Sequence, residues 1–362
     1  MKSWPIKKVL LLILTSLFVF LENPFPSLLW SQNPSSPKQK SKKKKEPFFV
    51  KVKQLTFKGQ NGEAYFSWDG KKIIFQSTRS SFLCDQIFLM DKDGKNLSLV
   101  STGKGRCTCA FFLKDGSLIY ASTHGGSPKC PPPPPRSLGY VWPLYKNYDI
   151  YHLSKDRKTL TQLTQNPFYD AEGTISWDGK KMVFTSLRKG DLDLYIMDLE
   201  TRKVEQITNT LGYDGGAFFS PDGKKLVYRA YHPKTEKEKE EYKYLLSKNL
   251  VRPRRLEIFL FDLVTRQKKQ LTHNGKVNFA PVFHPSGQKI LFSSNLKGRH
   301  SYQIFIMDLS GKNIRQVTFQ GSFNSFPYFS PDGKELLFIS NRGASRYSRE
   351  FHVFRATWKP LK

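Results

Sequence analysis

Three histidines, four cysteines and a recurring Asn or Asp are the residues of this chain whose types could do chemistry. His124 in ASTHGG, His232 in RAYHPK and His273 in LTHNG would bind a divalent metal through neutral imidazole if the fold gathered them. Cys84, Cys107, Cys109 and Cys130 are an even set, which suits two disulfides in an oxidising compartment. Asp170 with Glu172, and Asp191 with Asp193, are carboxylate pairs, though neither alone argues acid-base catalysis. The chain has no phosphate-cradling Gly-rich loop, no His-Glu-x-x-His and no Gly-x-Ser-x-Gly nucleophile elbow. Asp91, Asp93 and Asn96 begin like a calcium loop, but the terminal Glu of such a loop is missing. They read better as a hairpin turn.

What must position these residues is a repeat. Six times a strand-like run ends in a tight turn and restarts as an apolar strand: SWDGKKIIFQS, LKDGSLIYAS, SWDGKKMVFTS, SPDGKKLVYRA, HPSGQKILFSS and SPDGKELLFIS. The turn glycines Gly70, Gly116, Gly179, Gly223, Gly287 and Gly333 are 46, 63, 44, 64 and 46 residues apart. Such spacing means one supersecondary unit stacked on copies of itself, two of them carrying insertions. Each unit reads as four strands. The first enters the turn, the second leaves it, the third alternates as in QIFLMD or DLYIMD, and the short fourth ends in Thr, as in EQIT or RQVT. Five fourth strands follow a third strand, whereas KQLT at 53–56 precedes the first unit and the last third strand, EFHVFR at 350–355, lacks a fourth. The N-terminal strand should therefore complete the final blade. The expected fold is an all-β, six-bladed β-propeller closed in this way, so that no sheet edge stays free.

The Ser-Pro-Asp-Gly-Lys turns, the Ile-Phe-x-Met-Asp third strands and the Gln-Leu-Thr endings resemble the TolB-like β-propeller repeat over about residues 50–356. The resemblance implies a periplasmic propeller, and the family's TolB proteins bind a peptidoglycan-associated lipoprotein through theirs. TolB also carries an α/β domain before its propeller, which is not seen here. Oligogalacturonate lyase, a similar propeller, uses a His-rich metal site, and peptidase relatives attach a propeller to a hydrolase domain. The resemblance thus specifies the fold far more closely than the function.

Strands in a blade alternate in direction, so loops into first strands and loops from second to third strands share one face. Eight residues before each turn Asp or Ser stand Asn61, Cys107, Asp170, Asp214, Asn278 and Asn324, which places them round one mouth of the channel. They read either as caps of the strand start or as a ring of ligand acceptors. Arg79, Arg188 and Arg342 follow second strands on this face, where pairing within the blade is expected. His124 and His232 replace that Arg where the insertions begin. The insertion at 125–147 is Pro-rich and ends in Tyr140, Trp142 and Tyr145, followed by Tyr148. That at 233–255 spaces Tyr242, Leu245, Leu246 and Leu250 as in an amphipathic helix. Cys107 and Cys109, two apart on one strand, should each pair outward. The favoured pairing is Cys109 with Cys130 and Cys84 with Cys107, and the other pairings stay open.

Residues 1–31 read as a signal peptide, or as an uncleaved anchor tethering the protein through the apolar run at 9–21. Residues 32–47, rich in Lys and lacking aliphatic residues until their end, read as a disordered basic linker, and the propeller is expected over 48–358. The net charge is +29, of which the propeller keeps +22 once the linker and leader are set aside. This favours an anionic envelope component or an envelope protein as partner, and an exported protein has little access to nucleic acid. The expected function is non-enzymatic binding or scaffolding in the periplasm by a monomer without cofactor. Its site is the channel mouth, with Asn61, Asp170, Asp214, Asn278, Asn324, Arg229, His124, His232 and His273. The rival expectation is a polysaccharide lyase or hydrolase with a divalent metal on the three histidines, and a third is the accessory propeller of a peptidase.

Overall fold

The turn motif explains itself in atomic terms. In the fourth repeat the Ser220 hydroxyl donates to Asp222 at 2.5 Å, the Lys224 amide donates to the same carboxylate at 3.1 Å, and the Lys225 amide donates to Ser220 Oγ at 2.9 Å. Gly223 between them has φ +70, which a side chain would resist. The Ser-x-Asp-Gly-Lys pattern is thus a closed hydrogen-bond set that forces the chain back on itself. The terminal Thr of the fourth strand ties that outer strand to the third. Thr208 donates to Asp193 at 3.2 Å and accepts from the Leu194 amide at 2.9 Å.

The computed structural model describes residues 45–79, 81–344 and 350–360. The expectations for a leader at 1–31 and for most of the linker at 32–47 lie outside these residues. Among those described, no helix is long and apolar enough to cross a membrane.

The strands form six four-stranded antiparallel sheets. Blade 1 holds Gln60–Phe66, Lys72–Thr78, Gln86–Asp91 and Ser98–Leu99, from the axis outward. Blade 2 holds Cys107–Phe112, Leu118–Ser122, Asp149–Leu153 and Leu160–Gln162. Blade 3 holds Asp170–Ile175, Lys181–Ser186, Asp193–Asp198 and Val204–Gln206. Blade 4 holds Tyr213–Phe219, Lys225–Tyr231, Glu257–Asp262 and Lys268–Gln270. Blade 5 holds Asn278–Phe283, Lys289–Ser294, Gln303–Asp308 and Arg315–Gln316. Blade 6 holds Asn324–Phe329, Glu335–Ser340 and His352–Trp358, and its outer strand is the N-terminal Phe49–Gln54.

That last pairing, Phe49 opposite Trp358 through Gln54 opposite Phe354, closes the ring as the strand count requires. The closing strands lie slightly off the expected spans, at Phe49–Gln54 rather than 53–56 and at His352–Trp358 rather than 350–355. A buried ion pair adds to the closure: Arg342 donates to both Glu46 oxygens, at 2.8 and 3.0 Å. The second strands are the most buried, because a neighbouring blade covers each of their faces. Ile73, Ile74, Phe75, Phe184, Phe292 and Phe338 have no exposed area. Each such side chain contributes roughly 1.5–3 kcal/mol by leaving water.

The insertions build a separate wall. In the second, helix α1 (Glu236–Ser247) starts at a Thr235 and Glu238 capping box and buries Tyr242 and Leu245, whereas Leu246 is half-buried and Leu250, expected on the same helix, lies beyond its end in a strand. The Tyr242 hydroxyl reaches Asp191 and the Gly212 carbonyl, fixing the helix over blades 3 and 4. Beyond it, Leu250–Val251 pairs antiparallel with Trp142–Pro143 of the first insertion, so one continuous wall links blades 2 and 4.

Candidate functional site: an aromatic funnel over a charged floor

The Asn and Asp ring lies at the starts of the inner strands, where its polar atoms bond within their own blade or to the preceding one, except that Asp170 Oδ1 and Asp214 Oδ2 are buried without a hydrogen-bond partner among the described residues. Asn61 accepts from Ser77 at 3.0 Å and from Arg79 at 2.7 Å. Asp170 accepts from Arg188 at 3.0 Å, Asn278 from Ser294 at 2.7 Å, and Asn324 from Ser340 and Arg342 at 2.7 and 2.9 Å. Asp214 Oδ1 lies 2.9 Å from His232 Nε2. His124 Nδ1 is 2.7 Å from Ser122 Oγ, its ring 4.2 Å from that of Tyr151, and burial lowers its pKa. His273 is exposed in the loop before blade 5. Each histidine thus belongs to a different blade. Among the described residues no three His, Cys, Asp or Glu side chains gather where a metal could sit.

The cysteines differ from expectation. The disulfide joins Cys84 to Cys130, with Cα atoms 5.9 Å apart, while Cys107 and Cys109 are free. It therefore staples the Pro-rich insertion to blade 1, where pairings of Cys84 with Cys107 and of Cys109 with Cys130 were expected. The physical reason is a β-bulge. The pairing register of the inner strand shifts between Thr108 and Phe111, and Cys109 takes φ +54. Cys107 is thereby left buried against Ser122 at 3.2 Å, while Cys109 lines the channel.

The same bulge recurs in every blade. Two residues beyond each ring position, Glu63, Cys109, Glu172, Gly216, Ala280 and Phe326 all have φ between +44 and +60. A bulge re-aims the side chain it carries. Here it turns one residue per blade onto the axis, so that all six line one small chamber. In the next layer toward the Asp-Gly turns, the rings of Tyr65, Phe111, Phe218 and Tyr328 meet one another at centroid distances of 5.0 to 6.1 Å. This aromatic plug closes the channel.

Above the plug lies the floor of the site. Arg229, from the second strand of blade 4, forms an ion pair with Glu172 and donates from Nε to the Tyr213 hydroxyl at 2.9 Å. Glu172 accepts further bonds from the Gly216 amide at 2.8 Å and from Thr185 at 2.7 Å. Gly216 makes room for this arrangement, since a Cβ there would stand 2.1 Å from Arg229 Nη1. Burial is the largest single influence on Arg229 and opposes its charge, but Glu172, Tyr213 and Glu63 together outweigh it and the guanidinium pKa is raised. Glu63 is pushed up to about 7, by burial first and then by the Glu172 carboxylate, with Arg229 and the Cys109 thiol offsetting part of this. Burial, with Glu63 and Glu172 adding to it, drives the Cys109 pKa well above the usual thiol value. At neutral pH it is a thiol, not a nucleophile.

Over the floor opens a funnel of about 490 Å³. Tyr140, Trp142 and Tyr145 of the first insertion and Val251 and Pro253 of the second form one wall, and Phe279, Tyr302 and Phe323 of blades 5 and 6 face them. Arg106 pairs with Asp85 at 2.6 Å and lies 5.9 Å from the Tyr145 ring, while Arg229 lies 5.3 Å from that of Trp142. Of the residues named from sequence, Arg229, Glu172, Cys109 and this aromatic cluster enter the funnel. Glu63, Glu172, Cys109, Tyr213 and the Asp85–Arg106 pair were missed as parts of one site. The available signal was a charged or polar residue inside an inner strand, in NGEAYF and DAEGTI, where three other blades have Gly, Ala or Phe.

Six radial four-stranded sheets, with the first strand of the sequence completing the last, define a six-bladed β-propeller. Residues 247–352, under a third of the chain, match the family described as the TolB beta propeller domain, so over that stretch the repeat is similar to that of TolB-like propellers. TolB from Acinetobacter baumannii is similar with a TM-score of 0.51 and 19% identity, over 82% of this chain and 64% of that one. This chain therefore spans under two thirds of that protein's length. A protein assigned as TolB from Agrobacterium tumefaciens gives a TM-score of 0.56 and 15% identity, over 86% and 97% of the two chains. An oligogalacturonate lyase in complex with manganese gives 0.50 and 15%, over 85% and 93%. No curated protein matches the sequence.

Proposed function

We propose that this chain is a non-enzymatic binding propeller of the cell envelope, exported to the periplasm, which receives a segment of a partner protein in the aromatic funnel. One observation carries the reading: two insertions from different blades pair with each other to raise an aromatic wall on one side of a blind, 490 Å³ cavity. Ordered loops on a rigid scaffold are a usual place for recognition, and Tyr and Trp are the usual anchors of interfaces. The Tyr140 ring is 74% exposed at the rim, where a partner reaches it first.

The polysaccharide-lyase reading draws on the fold shared with the manganese-bound lyase, but the three histidines it would use sit in separate blades, and His124 and His232 have partners of their own. A photo-crosslinking residue at Tyr140 tests the binding reading against one at Lys224, on the turn face. A discrete partner trapped from Tyr140 and not from Lys224 is the expected result. Equal capture from both, or none from Tyr140, refutes it. Stoichiometric metal in the purified protein, with a melting point lowered by chelator, would favour the lyase instead.

A further inference from the structure

We infer that the funnel floor is a seat for a single alkylammonium group, held between the Glu63 carboxylate and the surrounding aromatic rings. The inference rests on the binding reading above and names the chemistry that the bound segment presents.

The funnel holds three carboxylates with distinct circumstances. Asp85 is paired with Arg106, and that guanidinium lies over Tyr145. Glu172 is paired with Arg229, and that guanidinium lies over Trp142 and Tyr213. The cavity thus twice places a cation between a carboxylate and an aromatic face, an arrangement in which ion pairing and ring quadrupole act together. Glu63 is the third carboxylate. The bulge aims it at the axis, and it lines both the inner chamber and the funnel beside Phe326. Among the described residues no Lys, Arg or His forms an ion pair with it, and its near neighbour is the neutral Cys109 thiol.

A carboxylate placed among protein without a cation is costly, and the group responds by holding its proton. Burial raises its pKa most; of the groups that face it, Glu172 from blade 3 and Asp85 from blade 1 raise it further, whereas Arg229 from blade 4 and the thiol from blade 2 lower it. The result, about 7, leaves Glu63 near half ionised at neutral pH. An incoming ammonium then competes with a proton for one carboxylate. Arg229, engaged in its ion pair with Glu172, offsets only part of this cost, so the site has a use for a further positive charge.

The charge of the whole molecule selects between carriers of that ammonium. The propeller is strongly basic, so a free polyamine meets repulsion on approach. A lysine on an otherwise neutral or acidic segment does not. The expected ligand is therefore a lone lysine side chain presented by such a segment.

The test uses the purified protein and three probes in calorimetric titrations: a blocked peptide Asp-Gly-Lys-Gly-Asp, the same peptide with norleucine for lysine, and putrescine. The lysine peptide should bind at least tenfold more tightly than either of the others. Its affinity should rise between pH 6 and 8, with proton release on binding, because Glu63 is ionised above about 7 and protonated below. Glu63→Gln should lose at least tenfold and abolish the pH dependence, with an unreduced melting temperature showing that the fold persists. Equal binding of lysine and norleucine peptides, a flat pH profile in the wild-type protein, or an unaffected Glu63→Gln overturns the inference. Putrescine binding more tightly than the lysine peptide overturns the choice of a segment-borne lysine. A partner still trapped from Tyr140 alongside any of these failures leaves the binding reading standing and removes only the ammonium seat.

Discussion

Replacing Glu46 by Ala should unfasten the ring at its seam. The Glu46 carboxylate accepts from two Arg342 nitrogens at 2.8 and 3.0 Å and from the Phe319 amide at 2.9 Å. Both side chains are less than a tenth exposed, at 4% and 8%. Removing one partner of such a pair leaves a buried charge uncompensated and costs about 3–5 kcal/mol. Arg342 keeps Asn324 at 2.9 Å and the Phe338 ring at 4.6 Å, which places the loss at the lower end, about 3 kcal/mol. With a denaturant slope of about 3 kcal/mol/M for a domain of this size, the urea midpoint should fall by about 1 M. The double variant Glu46→Ala, Arg342→Met removes the stranded charge and should recover part of that loss. Glu205→Ala, which breaks the exposed pair with Arg266 at 3.0 Å, should cost under about 1 kcal/mol. If Glu46→Ala costs no more than Glu205→Ala, or if the double variant is no better than the single one, the seam is not held as described.

Gly216→Ala, at φ +59 and facing the Arg229 guanidinium, should destabilise by at least the roughly 1–2 kcal/mol that a left-handed residue costs, as read by urea melts. Non-reducing peptide mapping should find Cys84 linked to Cys130 and two titratable thiols after denaturation. Removing that link, which spans 46 residues, should cost about 4 kcal/mol on chain entropy. Stability should fall as pH rises from about 4 to about 7. Burial raises Asp149 to about 6, and burial with the Asp191 and Asp214 charges raises Asp193 to about 7, whereas unfolded aspartate ionises near ~3.9. Across that window the folded state binds more protons than the unfolded one, so melting points at pH 5 should exceed those at pH 7, and Asp193→Asn should flatten the slope. The turn aspartates Asp69, Asp178, Asp222 and Asp332 have lowered pKa values, chiefly from their serine hydrogen bonds, and act below the window.

The blades were legible because their motifs are hydrogen-bond sets in miniature. Ser220, Asp222, Gly223 and Lys224 specify a turn wherever they occur, and the Thr208 with Asp193 bond marks an outer edge. The unpaired KQLT at the start and the missing fourth strand at the end are enough to imply the closure. The site was legible only in outline. Face bookkeeping put the insertions, His124 and His232 on one side, but it assumed strict alternation along the inner strands. One extra residue at Glu63, Cys109 and Glu172 breaks that alternation and sends to the axis side chains that a period of two would send between blades. The cysteine pairing was misassigned for the same reason. A bulge has no residue signature when five of six positions are not Gly, so sequence periodicity could not reveal it.

The four rings packed across the axis also limit what a guest can be. Tyr65, Phe111, Phe218 and Tyr328 leave no thoroughfare, so a polypeptide cannot be threaded from one side of the disc to the other. Whatever enters does so as a tip, a hairpin bend or a chain terminus, reaches a dead end after a short depth, and must back out along the path by which it came.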